Sequence, residues 1–259
     1  MSPLRVIDPG RPGYQKPGPW VSKKPFLTAE WRHLVMLNYE VDAEMLAPYV
    51  PRHVEIDRWQ GRTYVSLIGF LFLNTRVRNF PVPFHRNFEE VNLRFYVRRG
   101  DQRGVVFIRE IVPRRAVALV ANSLYGENYV SLPMRHRLEL FRFEYSWRVG
   151  GKWNSIAASE LGRHVAVVPG SHEEFITEHY WGYTRRSASL TVEYRVEHPS
   201  WKVRSAGSGS FQGSVAGLYP CEFEFIGQRP PDTAFVADGS IVAVFRGNQP
   251  EYLAPTVAS

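Results

Sequence analysis

The sequence predicts a mainly β domain of α+β character, a strongly curved antiparallel sheet or β-barrel with a few short helices. Three observations predict it. Alternating apolar and polar residues recur along the chain, as in Leu190, Val192, Tyr194 and Val196 against Glu193, Arg195 and Glu197. Helical periodicity is confined to short stretches. The 259 residues, 44% hydrophobic, suffice for one substantial core, and all-β domains of this size often stay single.

The elements follow in order. Residues 1–27 are rich in Pro and Gly and read as an N-terminal tail, 28–250 as a single domain, and 251–259 as a C-terminal tail. Val35–Val41 reads as a strand, and Asp42–Tyr49 as a short helix capped by Asp42 and stopped by Pro51. Arg62–Val77 is a long apolar strand with a possible break near Gly69. A loop holding Pro81 and Pro83 leads to a strand over 87–98, and the turn Gly100–Gly104 leads to another over 105–112. A helix over 113–125 starts at Pro113 and stops before Gly126, with Val117, Val120, Ala121 and Leu124 on one face.

Along Arg137–Val149, Phe141, Phe143, Tyr145, Trp147 and Val149 share a face. Ser171-x-x-Glu174 is a capping box that opens a short helix. Gly207-Ser208-Gly209-Ser210 reads as a turn, and Asp238-Gly239 as a two-residue hairpin between Ala234–Ala237 and Ile241–Phe245.

The formal charge is +7, but five cations before residue 25 (Arg5, Arg11, Lys16, Lys23, Lys24) against Asp8 account for +4 of it. The remaining +3 is spread among many acids, which argues against nucleic acid as a partner. No apolar run is long enough for a membrane helix, and the N-terminus lacks an apolar leader. Cys221 is the only cysteine, which fits a reducing cytoplasm, and it reads as a small buried residue rather than a nucleophile. The eight histidines show no metal-ligand spacing. Phosphate-loop, dinucleotide and serine-nucleophile motifs are also missing from the sequence, so no cofactor or metal is expected.

The segment Arg109-Glu110-Ile111-Val112-Pro113-Arg114-Arg115-Ala116 is the most specific chemical signal. It puts Arg114 and Arg115 in the first turn of a helix, where the dipole is already positive and backbone N–H groups lack partners. Two cations there suit an anion. The alternative is a salt bridge to Glu90, Glu110 or Glu127.

This segment resembles the acetoacetate decarboxylase superfamily, in which Arg-Glu-Ile followed by a Pro-Lys-Lys-type turn carries the Schiff-base lysine and its helper. Further blocks make the chain similar to the YqjF-like (DUF2071) branch, of unknown function: Met36-Leu37-Asn38-Tyr39, Thr63-Tyr64-Val65-Ser66-Leu67, Phe84-His85-Arg86-Asn87-Phe88-Glu89-Glu90-Val91-Asn92, Thr177-Glu178-His179-Tyr180-Trp181 and Pro230-Pro231-Asp232-Thr233-Ala234-Phe235. The resemblance implies an acetoacetate decarboxylase-like fold over 28–250. It also implies a central cavity, closed partly by helix 113–125, that handles a small acid. The family lysines fall on Arg114 and Arg115. Arginine keeps the cation and grips carboxylates, but it cannot deprotonate to form an imine. Schiff-base decarboxylation through these positions is therefore not expected, and the sequence leaves open whether the chain is an enzyme.

The first reading is a protein that binds a small anionic, carboxylate-bearing molecule. Arg114 or Arg115 is the anchor, and Arg109, Asn128 and Tyr183 are further ligand-binding candidates. The second is a lyase, hydrolase or isomerase that uses no imine and draws an acid or base from Glu90, His85, Glu178 or His179. The third is an interaction module with a filled cavity. Glu90, Asn92 and Arg94 share one strand face and Glu89, Val91 and Leu93 the other, and the pattern alone leaves open which faces inward. A homo-oligomer is possible.

Overall fold

The structure, a computed structural model, describes residues 24–160, 165–187 and 189–247. Residues 1–23 and 251–259 of the expected tails lie outside the described residues. Among the described residues, fifteen strands join in one mixed sheet. They are β1 (Leu27–Val41), β2 (Glu55–Ile56), β3 (Thr63–Val77), β4 (Phe80–Pro81), β5 (Phe88–Arg99), β6 (Gln102–Val112), β7 (Tyr129–Ser131) and β8 (Met134–Leu138). The rest are β9 (Arg142–Val149), β10 (Lys152–Glu160), β11 (Val165–Ala166), β12 (Trp181–Arg185), β13 (Thr191–Glu197), β14 (Lys202–Gln212) and β15 (Thr233–Val244). The helices are α1 (Ala43–Leu46), α2 (Arg115–Tyr125) and α3 (His172–Thr177). None of them is long and apolar enough to cross a membrane.

The order β1-β3-β5-β6-β12-β13-β15, with β15 pairing back to β1, closes a barrel. Most pairings are antiparallel, but β12 and β7 pair with β6 in parallel. β14, β10, β9 and β8 continue from β15 and fold back over the outside of the barrel. This gives two cores. One fills the barrel, with Leu34, Met36, Ile68, Phe70, Phe72 and Val105 among its residues. The other lies between the barrel wall and the overlaid strands, with Leu67, Leu93, Tyr145, Trp147 and Ile156. A wall strand buried on both faces reads as a continuous apolar run, which explains residues 63–72. Gly69 does not break β3. It gives room to the overlaid sheet, since a Cβ there would lie 2.7 Å from the Tyr145 ring and 2.8 Å from Ile156.

The Asp238-Gly239 hairpin is corrected: β15 runs unbroken from 233 to 244, with Gly239 opposite Arg32. At this level His33 (φ 55°) and Gly239 (φ 76°) both take left-handed backbone. The inward face shifts by one residue in both strands, from Trp31 and Val242 to Leu34 and Ala237. A Cβ at 239 would sit 1.9 Å from the Trp31 carbonyl oxygen. Gly239→Ala is therefore expected to destabilise the protein by about 3 kcal/mol in urea unfolding, through clash and backbone strain together.

Other expectations also change. Residues 207–210 lie within β14 rather than in a turn. Residues 137–149 divide between β8 and β9, leaving Phe141 exposed between them. Asp42 stands at the N-cap of α1 without a side-chain cap bond. Cys221 is exposed rather than buried, because it opens a surface 3-10 turn. Half of the capping box at α3 forms: the Ser171 hydroxyl accepts from the Glu174 N–H at 3.2 Å, while the Glu174 carboxylate accepts from the Gly170 N–H at 2.6 Å instead of from that of Ser171.

Candidate active site

The barrel holds a cavity of about 250 Å³. The lining residues most open to solvent are Ala116 and Val120 on α2, and half-buried Val77, Val82 and His85 around β4 also line it, so the opening lies between that loop and that helix. One wall is aromatic. Phe72 stacks on Phe88 at 4.8 Å, and Trp31 packs against Phe70 and Phe72 at 5.3 and 5.8 Å. The polar groups come chiefly from the β5–β6 side: Glu90, Asn92 and Arg94 from β5, Glu110 from β6, and Glu127 and Tyr129 from the segment after α2, with Tyr194 from β13.

Strand geometry places them. Alternation along β5 sends Glu90, Asn92 and Arg94 inward, while Leu93 packs outward and Glu89 binds His136 at 2.7 Å. On β6 the inward residues are Val105 and Phe107, then Glu110. A bulge after Phe107 changes the phase: Arg94 pairs with Phe107, but Leu93 pairs with Arg109. It turns Glu110 into the barrel opposite Asn92 and Arg109 out with Leu93.

The carboxyl groups form one network. Glu90 accepts from Asn92 Nδ2 and from the Tyr129 hydroxyl, both at 3.0 Å. Tyr129 also interacts with Glu110. Glu127 accepts from the Thr184 hydroxyl at 2.6 Å and interacts with Tyr194. Burial in a low-dielectric wall disfavours charge, so Glu90 and Glu127 are each pushed up to about 7. Glu110 is held well above the carboxylate range, by burial first and then by the charges of Glu127 and Glu90. One Glu110 oxygen is buried without a partner. Near neutral pH such a trio shares protons, so neutral and ionised carboxyl groups stand side by side. Among the described residues Arg94 is the one cation lining this cavity apart from histidine; it donates to the Ile176 carbonyl at 3.1 Å and counters the rise at Glu90. His179 packs on Tyr96 at 4.7 Å, and burial together with Arg103 and Arg94 holds it well below its usual range, keeping it neutral.

The sequence candidates are thus partly gathered and partly dispersed. Glu90, His179 and His85 line the cavity, His85 at the opening with Nδ1 donating to the Pro83 carbonyl at 2.8 Å. Glu178 does not: it is buried beside them but accepts from the Tyr180 and Ser200 hydroxyls. The arginine anchor is corrected. Arg114 and Arg115 are exposed and outside the lining. Arg114 is the extended N-cap of α2, and at about 100° per residue Arg115 lies opposite the face carrying Ala116, Val117, Val120 and Ala121. Arg109 faces the other core because of the bulge, and Tyr183 packs there, its ring lying over Gly104. Asn128 is exposed and contributes its carbonyl, which accepts from the Glu110 N–H at 3.2 Å. Arg114→Ala and Arg115→Ala are expected to shift stability by no more than ~0.5 kcal/mol in denaturant titrations.

Glu110, Glu127, Arg94 and Tyr194 were not among the sequence candidates. Glu110 was concealed by the bulge, and Glu127 sits in a loop with no periodicity to betray it. Among the described residues no lysine lines the cavity, and Lys152 and Lys202 are exposed. Among the described residues no group of acids, histidines and cysteine is arranged to hold a metal.

The profile of the DUF2071 family, described as an uncharacterized conserved protein, matches residues 28–240. "Uncharacterized protein YqjF" of Bacillus subtilis (strain 168) is 26% identical over 193 residues, 73% of this chain and 77% of that one. Among solved structures, acetoacetate decarboxylase from Legionella pneumophila is similar with a TM-score of 0.69 at 12% identity, covering 98% of this chain and 100% of that chain. The enduracididine biosynthesis enzyme MppR complexed with pyruvate gives 0.64 at 12% identity, covering 92% and 96%. An acetoacetate decarboxylase-like enzyme from Sphingomonas wittichii RW1 gives 0.62 at 12% identity, covering 89% and 95%. Matched over most of its length by that family's profile and built as the same closed barrel, the chain belongs to the DUF2071 family and has the acetoacetate decarboxylase-like fold.

Proposed function

We propose that the barrel cavity binds a small organic carbonyl compound, a 2-oxo acid in the first instance, and that the glutamate cluster transfers protons on it without an imine. The observation that carries this reading is the three buried glutamates, Glu90, Glu110 and Glu127, on one wall of a largely apolar cavity. A neutral carboxylic acid donates a hydrogen bond to a carbonyl oxygen, and an ionised neighbour accepts a proton from the adjacent carbon. The C–H electron pair moves into the new C=C bond, the oxygen takes the donated proton, and the product is an enol that can reprotonate. Arg94 supplies the cation for the carboxylate end, the role the sequence assigned to Arg114 and Arg115. An interaction module with a filled cavity would leave no hollow of about 250 Å³.

Pyruvate, named in the complex of the MppR neighbour, heads the test panel. The 2-oxo acids are incubated with the protein in D2O, and loss of the C3 proton signal is followed by NMR. The expected result is exchange faster than buffer alone, with a rate that inflects near pH 7. Exchange at the buffer rate across the panel would contradict the reading.

A further inference from the structure

We infer that the ligand of this cavity carries a bulky apolar body, a single aromatic ring or a branched chain of similar size, placed against the wall formed by Trp31, Phe70, Phe72 and Phe88. This rests on the carbonyl reading above and names the class of compound it would serve. Two features point to it.

The first is size. A dry apolar cavity of about 150 Å³ already holds a benzene ring. One of about 250 Å³ has room for a ring together with a short acid-bearing side chain. A three-carbon acid would fill little of it and leave the aromatic wall uncovered. The second is the division of chemistry within the cavity. The acids and Arg94 are gathered along β5, β6 and the segment after α2, and an aromatic wall adjoins them at the Glu90 end, where Phe88 lies two residues along β5 and Phe70 pairs with Glu90, with Phe72 and Phe88 stacked nearly parallel at 12° and Trp31 tilted across Phe70 at 58°. A ring entering this wall finds both stacking and edge contacts. Its depth is set from α2 by Val117, a half-buried residue on the lining face, across the opening from the loop around β4.

The inference is tested by calorimetric titration of the full chain with pyruvate, 4-methyl-2-oxopentanoate, phenylpyruvate and toluene, on wild type and on Val117→Phe, with thermal unfolding to check that the variant is folded. The expected result is that phenylpyruvate binds about 100-fold tighter than pyruvate, as burial of a phenyl group predicts, with the branched acid between them. Val117→Phe is expected to cut the phenylpyruvate-to-pyruvate preference at least tenfold. Equal affinities for pyruvate and phenylpyruvate would overturn the inference and leave the carbonyl reading standing. Binding of toluene with no binding of any of the three oxo acids would support the apolar wall and overturn the carbonyl reading. Binding of none of the four would overturn both.

Discussion

Glu127→Gln is expected to make the protein more stable than wild type at pH 8.5, relative to the difference between the two at pH 4, by roughly 3 kcal/mol. The figure is the rise of Glu127 from 4.5 to about 7, taken at 1.36 kcal/mol per pH unit. The sign follows from proton counting. Between the two values the unfolded chain has released the Glu127 proton and the folded chain has kept it, so wild-type stability falls as pH rises through that window. Below it both states are protonated, and the neutral acid differs little in shape or charge from the amide. Above it both are ionised, and the full penalty of the buried charge remains. Glutamine never ionises and still offers an oxygen to the Thr184 hydroxyl. His172 and His179 act in the opposite sense below pH 6.5, because burial keeps both neutral in the folded state. The variant-minus-wild-type difference isolates the glutamate from them. Urea unfolding at a series of pH values reads it, and a difference that stays flat with pH would contradict a raised Glu127.

Glu90→Gln is expected to slow carbon-proton exchange on the bound 2-oxo acid by about 10²–10⁴-fold, the range that a positioned general acid or base contributes. Glu90 is the carboxyl group bridged to Glu110 through Tyr129, which in the proposed reaction would let proton uptake at one position be matched by release at the other. The amide keeps the contacts with Asn92 and Tyr129 but cannot carry a proton. Binding measured by titration should therefore change only a few-fold while exchange collapses. Equal losses in affinity and rate would make Glu90 a binding group only.

How far the site was legible in the sequence depends on what each signal measures. Alternation reports the face of a regular strand, so it grouped Glu90, Asn92 and Arg94 on β5 and put Tyr194 with Val192 and Val196 on β13. It fails at a bulge, and the bulge in β6 is what sends Glu110 inward and Arg109 outward. The Pro113-to-Gly126 signals located α2 to within two residues, and Gly126 takes the left-handed C-cap those signals imply. They carry no information on which part of the helix meets the barrel, so the two arginines were assigned to a cavity they do not reach. Asp238-Gly239 has the local chemistry of a hairpin, yet long-range pairing with β1 holds it inside a strand. The resemblance to the decarboxylase superfamily gave the fold, which local patterns could narrow only to a curved sheet or barrel. Barrel closure depends on β1 meeting β15 about 200 residues away, a pairing that no window of sequence contains.

The glutamate cluster works only if Glu90, Glu110 and Glu127 titrate well above the ordinary carboxylate range, so that protonated and ionised carboxyl groups coexist in the barrel at neutral pH. The most direct measurement is a pH titration of the glutamate side-chain carboxyl carbons by 13C NMR, with Glu90→Gln, Glu110→Gln and Glu127→Gln to assign the resonances. All three are expected to titrate above the ordinary glutamate range, Glu90 and Glu127 near pH 7. Three carbons that titrate together near pH 4.5 would contradict it, because fully ionised groups leave no proton donor on that wall.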